Sequence, residues 1–191
     1  MEARNVNFVS QYDEYMNLPE GTRAELIDGV IYNLDSATIP HQSAAGGIFG
    51  QLFTYLIGKR CKVLYEIDVQ LDEDDVHTIL KPDMVVVCDP KKTADRRRII
   101  GAPDMIVEVR SPSTQRHDRV FKYNRYLDAG VREYWIVVPD DQYVEVYTLV
   151  NGQYVSTSYE KDAKIKVSIL DDCIIDLAVV FPAESGAAPA Q

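Results

Sequence analysis

The chain has 191 residues, of which 46% are hydrophobic and 26% are charged, which is ordinary for one globular domain with a sizeable core. No apolar run reaches membrane-spanning length, and the first residues lack a signal peptide's apolar core, so we expect a cytoplasmic protein without membrane contact. The net charge of −10 argues against a nucleic-acid partner. Residues 91–132, however, hold 11 Lys or Arg against 5 Asp or Glu, a net +6, and such a surface can still meet phosphates.

The N-terminal third predicts a helix, a hairpin and a second helix. Ser10 is placed to cap a short helix. Residues 24–32 read as two short strands joined by an Asp-Gly turn. His41 precedes apolar residues at spacings of three and four, which indicate an amphipathic helix that ends near 58–60. Residues 63–71 alternate well enough to predict one strand.

The middle of the chain predicts a βαβ unit. Apolar runs at 83–88 and 104–110 are bounded by Pro, Asp or Ser and read as buried strands. A basic helix follows the second run and ends near Gly130, and the strand 133–138 comes directly after it. The second and third of these strands are therefore expected to be parallel. Further strands are predicted at 143–147, 154–159, 164–169 and 173–176.

We expect one domain over residues 1–181. The remainder, 182–191, is rich in Ala, Gly and Pro and is expected to be disordered. Cys61, Cys88 and Cys173 are odd in number, far apart and set in apolar runs. They predict reduced, buried thiols, and neither a zinc site nor a disulfide framework.

Carboxylates at two strand ends indicate a metal site. Asp83 opens the first strand of the central stretch, and Glu108 interrupts the second among apolar neighbours, where a charge is costly unless it is paired or bound to a metal. The alternatives are a turn cap for Asp83 and a salt bridge from Glu108 to Arg110 or Lys122. Because Asp83, Glu108 and Lys122 converge at one end of the βαβ unit, we expect the two carboxylates to share one divalent cation. Lys122 is expected to leave its helix towards Glu108 and to orient the attacking water.

Other residues are candidates for supporting roles. Glu25 is a further acid that could reach the metal from an N-terminal element. His41 is a candidate for substrate contact, with a helix N-cap or a surface histidine as the ordinary alternative. The basic helix carries a stripe of positive charge at intervals of three residues, which predicts a surface that faces nucleic acid: Arg116, Arg119, Lys122 and Arg125.

Several motifs together carry a resemblance that spans nearly the whole chain up to the tail. They are Arg23-x-Glu25-Leu26-Ile27-Asp28-Gly29, His41, Pro82-Asp83, Pro103-Asp104-x-x-x-Glu108-Val109-x-Ser111-Pro112-Ser113, Asp118-x-x-x-Lys122-x-x-x-Tyr126 and Gly130-Val131-x-Glu133-Tyr134-Trp135. The chain resembles the Uma-type family, described as putative restriction endonucleases, whose fold is similar to that of the PD-(D/E)XK nuclease superfamily.

The resemblance implies an α/β fold with a restriction endonuclease-like mixed core sheet of four or five strands, flanked by helices, with additional N-terminal and C-terminal β-strands. It implies Asp83 and Glu108 as metal ligands and a magnesium-dependent (or manganese-dependent) cut in a DNA phosphodiester bond. We also expect a homodimer. Two residues after Glu108, where the superfamily has lysine, this chain has Arg110, which cannot lose its proton. Lys122 is expected to supply the amine instead.

The predicted assignment therefore has three parts. Glu25, Asp83 and Glu108 face the metal, Lys122 is the catalytic amine, and the substrate-binding residues are His41, Arg110, Arg116 and Arg119. Two alternatives stay open, since fold does not establish function. One is a catalytically inactive nuclease-fold module that binds nucleic acid or protein. The other is a hydrolase of a small phosphorylated compound that uses the same metal pair.

Overall fold

The computed structural model describes residues 10–110 and 116–182, and the side chains of all of these except 116–119. The helices are α1 (Gln11–Met16), α2 (Ile39–Leu56), α3 (Arg116–Asp128) and α4 (Leu177–Val180). The strands are β1 (Ala24–Ile27), β2 (Val30–Asn33), β3 (Lys62–Tyr65), β4 (Asp68–Gln70), β5 (Met84–Val87), β6 (Arg98–Ile100), β7 (Met105–Val109), β8 (Glu133–Val138), β9 (Tyr143–Val150), β10 (Gln153–Glu160), β11 (Lys164–Lys166) and β12 (Ile174–Asp176). The predicted tail, apart from Pro182, lies outside these residues.

A mixed sheet of six strands forms the core of the described structure, in the order β10-β9-β8-β7-β5-β3. The strands β7 and β8 are parallel and are joined through α3, which confirms the predicted βαβ unit. The strands β5 and β7 are antiparallel, with Met84 opposite Val107. The start of β5 therefore lies beside the end of β7, and this register brings Asp83 next to Glu108.

The central strands β5 and β8 are buried at every position, so both faces of the sheet are covered there, whereas the outer strand β10 is largely exposed. The helix α2 covers one face together with α4 and the β11–β12 pair, in a cluster that includes Ile48, Leu52 and Trp135. The helix α3 packs on the other face, and Tyr126 and Ile136 belong to that cluster. The candidate site lies where β5 begins and β7 ends, between the beginning of α2 and the middle of α3.

The N-terminal predictions are confirmed. Ser10 caps α1 with its side chain, and Asp13 completes a capping box. The segments β1 and β2 form the predicted hairpin, with Asp28 and Gly29 in the turn at positive φ. The helix α2 begins after the cap residue Thr38 and ends close to the predicted position.

Three predictions about strands need correction. Residues 63–71 form two strands, because Glu66 adopts φ 46° and turns the chain between β3, which pairs with β5, and β4, which pairs with β6. The core sheet has six strands instead of four or five, since β9 and β10 both add to its outer side. The predicted strand 164–169 stops at Lys166, and the elements β6 and α4 were not predicted.

The prediction of three reduced thiols was wrong for two of them, because Cys61 and Cys88 form a disulfide. In the β3–β5 ladder Lys62 lies opposite Val87, so the two cysteines face each other one step beyond this pair, with 3.9 Å between their Cα atoms. Cys173 is buried and free, as predicted. Within the described ranges, no helix combines the length and the apolar character needed to cross a bilayer.

Candidate functional site

Asp83 directly precedes β5 and is held by contacts with β7 and α2. Its side chain is 11% exposed, and Oδ2 accepts a hydrogen bond of 2.7 Å from the Val109 N–H of β7. Its other oxygen, Oδ1, lies 3.3 Å from Nε2 of His41 in the first turn of α2. His41 is itself buried, and its Nδ1 has no described hydrogen-bond partner. The structure therefore places His41 against Asp83 and away from the open surface.

Glu108 is held from the other side by α3. Its Oε1 lies 3.2 Å from Nζ of Lys122 and accepts a hydrogen bond of 2.7 Å from the Tyr126 hydroxyl. Lys122 is 7% exposed and Tyr126 is fully buried, so both side chains point from α3 towards the sheet. Lys122 thus leaves the helix on the predicted side. Within the described residues, every hydrogen bond to the Glu108 carboxylate goes to Oε1.

Glu25 completes the group of acids. It is 1% exposed on β1, and its Oε1 accepts a hydrogen bond of 2.8 Å from the Lys81 N–H and lies 2.9 Å from Nζ of Lys122. The Lys122 ammonium therefore lies between two carboxylates. The hairpin brings Glu25 there, because Leu26 bridges to Ile79 and the turn of the hairpin is tied to α3 by an ion pair.

The close packing of acids changes their proton affinities. Burial raises the pKa of Glu108 to about 7, against the lowering effect of the Lys122 charge and with a further rise from the nearby carboxylates of Asp83 and Glu25. Burial lowers the pKa of His41, but the hydrogen bond and charge of Asp83 outweigh it, so that the net shift is upward from 6.5. Burial and the charge of Glu108 raise the pKa of Tyr126 well above 10, so its hydroxyl remains a donor.

The remaining predicted residues are less closely engaged. Arg110 follows β7 directly, is partly exposed, and donates its backbone N–H to Val137. Arg116 and Arg119 lie in the first turn of α3, and their side chains lie outside the described structure. Of the predicted basic stripe, Lys122 is buried, and Arg125 pairs with the hairpin turn. These two residues are thus engaged within the protein, Lys122 on the side predicted for it, and a nucleic-acid-facing surface on this helix stays a prediction.

Two backbone contacts at the site were not predicted, because they exist only in the folded chain. The Val109 and Lys81 backbone N–H groups bind Asp83 and Glu25, and no side-chain pattern signals them. Tyr126 did carry a signal, because it follows Lys122 by four residues and therefore shares its face of the helix.

The donors at this site suit a hard divalent cation. Among the residues that the structure describes, no three His, Cys, Asp or Glu side chains are arranged to hold a metal. Magnesium, however, is commonly bound through one or two carboxylates, with water and substrate phosphate as the other ligands. Asp83 directly precedes β5, Glu108 lies at the end of the adjacent strand β7, and Oε2 of Glu108 makes no described hydrogen bond. The residues therefore fit a magnesium ion held by two carboxylates.

Comparison with known proteins identifies the family. Residues 10–178 match the Uma2 family, which is described as "Putative restriction endonuclease". The chain belongs to the Uma2 family. It is 25% identical over 161 residues to an uncharacterized protein of Synechocystis sp. (strain ATCC 27184 / PCC 6803 / Kazusa), covering 81% of this chain and 83% of that protein.

A solved structure shares the fold of this chain. It is the crystal structure of a "putative nuclease" from Anabaena variabilis ATCC 29413, with a TM-score of 0.73 and 22% identity, and the match covers 89% of this chain and 96% of that one. The predicted Uma-type resemblance and the α/β, nuclease-like fold are thereby confirmed.

Proposed function

We propose that this Uma2 protein is a magnesium-dependent endonuclease that hydrolyses DNA phosphodiester bonds. The observation that carries the proposal is the convergence of Asp83 and Glu108 at adjacent strand ends, with Nζ of Lys122 3.2 Å from Glu108. Two acids and an amine at neighbouring strand ends can bind a cation and orient a water molecule for attack on a phosphate.

Asp83 and Glu108 would hold the cation, with Glu25 as a third acid available through Oε2, since its Oε1 is taken by Lys81 and Lys122. Bound Mg²⁺, or Mn²⁺ in its place, would supply positive charge and acidify a water molecule. Oxygen donors of this kind are what both ions accept.

The other residues have separate proposed roles. Lys122, fixed by Glu25 and Glu108, would donate a hydrogen bond to the attacking water and offset charge that develops on the phosphate. Arg110, at the end of β7 and partly exposed, would contact a phosphate, and Arg116 and Arg119 would contact the DNA backbone. His41 would contribute to substrate binding through Asp83, which it contacts directly.

We further propose that the protein acts as a homodimer. The two strands of a duplex run in opposite directions, so a two-fold symmetric pair of sites can address both of them. The Cys61–Cys88 disulfide argues against the expected cytoplasmic location, because disulfides are rare in the reducing cytosol.

Cleavage of a supercoiled plasmid tests the proposal. The wild-type protein with Mg²⁺ is expected to nick or linearise the plasmid, and EDTA is expected to stop it. Asp83→Asn and Glu108→Gln each keep the side-chain shape and lose the charge, so both should abolish cleavage and leave folding intact. Glu160→Gln, an exposed change on β10, is the matched control and should cleave normally. Equal cleavage by all four proteins would refute the assignment.

A second candidate is an inactive nuclease-fold module that binds nucleic acid or protein. One observation favours it: Lys122 already pairs with both Glu25 and Glu108. In that case the wild-type protein would bind DNA but would leave the plasmid intact with Mg²⁺ and with Mn²⁺.

A further inference from the structure

The packing of the core around Tyr126 requires only an aromatic ring and does not require its hydroxyl. Tyr126 is fully buried and packs edge-on against Tyr134, with 5.0 Å between ring centroids. The surrounding cluster is built from aliphatic and aromatic side chains such as Ile106 and Ile136. The ring therefore fills space that phenylalanine could fill equally well, and the hydroxyl has a separate consequence, the 2.7 Å hydrogen bond to Glu108.

Tyr126 and Lys122 hold the same oxygen of Glu108. They stand four residues apart on α3, which places them one above the other on the helix face that meets the sheet. Both reach Oε1, at 2.7 Å from the hydroxyl and 3.2 Å from the ammonium. Two donors on one carboxylate oxygen restrict rotation of the group and direct Oε2 away from the helix.

Asp83 shows a different arrangement. Its two oxygens are each engaged by a separate group, Oδ1 by His41 and Oδ2 by the Val109 N–H. The carboxylate of Glu108, in contrast, concentrates its described hydrogen bonds on one atom. The orientation of Glu108 therefore depends on α3, and its remaining oxygen is the one with capacity for a cation.

We propose that Tyr126 is a positioning residue, whose hydroxyl fixes the carboxylate of Glu108 so that Oε2 is presented to the divalent cation. The inference rests on the proposed function, because it concerns the same metal site. Tyr126 acts through Glu108 and touches neither substrate nor cation. Hydrogen bonds to metal-ligating carboxylates commonly change metal affinity by about 10- to 100-fold when they are removed.

Calorimetric titration of Mg²⁺ into the metal-free protein tests this role. Tyr126→Phe keeps the ring and removes the hydroxyl. Tyr154→Phe is the matched control, since the Tyr154 hydroxyl belongs to the same aromatic group but donates to the backbone oxygen of Val131 at 2.9 Å. We expect Tyr126→Phe to weaken Mg²⁺ binding by about tenfold or more. Tyr154→Phe should bind Mg²⁺ like the wild type, although both variants lose one partly buried hydrogen bond.

Turnover supplies a second readout. Because Tyr126 does not touch the substrate, Tyr126→Phe should need more Mg²⁺ for half-maximal cleavage and should regain most of the wild-type rate at saturating Mg²⁺. A merely structural role would lower the melting temperature of both variants and leave the metal dependence unchanged, and that result would overturn the inference.

An NMR measurement on the wild-type protein tests the inference without relying on the folding of a variant. The hydroxyl proton of Tyr126, shielded and hydrogen-bonded, should give a slowly exchanging NMR resonance in the metal-free protein. It should persist when Mg²⁺ is added, because Tyr126 keeps Oε1 while the ion takes Oε2. Loss of this resonance on saturation would overturn the inference. If the wild-type protein bound no Mg²⁺, the proposed function would fall as well, whereas equal binding by wild type and Tyr126→Phe would remove this inference alone.

Discussion

Replacing Glu108 by glutamine should change how the stability of the protein depends on pH. Burial raises the pKa of Glu108 to about 7, from 4.5 for an ordinary glutamate. Between these two values the folded protein holds a proton on Glu108 that the unfolded chain has released. The folded state therefore binds more protons, and the free energy of unfolding falls as the pH rises through this window. Because a glutamine side chain cannot titrate, the Glu108→Gln variant should lose this contribution.

The size of the effect follows from the two pKa values. For a single group with these values, the free energy of unfolding gains about 2 kcal/mol between about pH 8 and about pH 5.5. His41 also has a raised pKa, and its contribution likewise falls as the pH rises. Since His41 is present in both proteins, its contribution largely cancels when the wild type is compared with the variant.

Urea unfolding at these two pH values, in EDTA, measures the difference. The wild-type protein should gain about 2 kcal/mol more than Glu108→Gln on acidification. The two proteins should become most similar in acid, where Glu108 is neutral. Equal pH dependence of both proteins would refute the account of a carboxyl whose pKa is raised by burial among other acids.

Three other predictions concern the disulfide, the two cationic side chains and DNA binding. Cys61→Ser combined with Cys88→Ser opens a link across a sequence separation of 27, and urea unfolding should show a loss of about 3–4 kcal/mol; an unchanged midpoint would contradict the disulfide. Lys122→Met should lower the cleavage rate sharply at saturating Mg²⁺ with DNA affinity largely kept, whereas Arg110→Met should mainly weaken DNA binding; the opposite pattern would reverse their roles. DNA affinity, measured with Ca²⁺ in place of Mg²⁺, should fall as salt rises, and a salt-independent affinity would argue against phosphate contacts.

The sequence predicted the βαβ unit well because its strands are uniformly apolar and its helix follows directly. The same local pattern could place Glu108 at a strand end, since a charge among Val and Ile residues is conspicuous. The prediction that Lys122 faces Glu108 rested on helical spacing, and the observed distance of 3.2 Å agrees with it.

Pairing across long sequence separations was not predictable from local patterns. The antiparallel ladder of β3 and β5 brings Cys61 and Cys88 together, yet neither strand identifies the other as its partner. The break at Glu66 was missed for a related reason, because its backbone N–H bonds to the carbonyl oxygen of Asp83, a contact that exists only in the folded sheet. Glu25 was predicted only as a further acid on an N-terminal element, and its ion pair with Lys122 depends on how the hairpin docks against α3.

The most direct test of the central claim is an anomalous difference map from a crystal of the wild-type protein soaked in Mn²⁺. We expect a peak between the carboxylates of Asp83 and Glu108, within coordination distance of Oε2 of Glu108, with Tyr126 still hydrogen-bonded to Oε1. A map without a peak at this position under saturating Mn²⁺, with Lys122 still bridging Glu25 and Glu108, would contradict it.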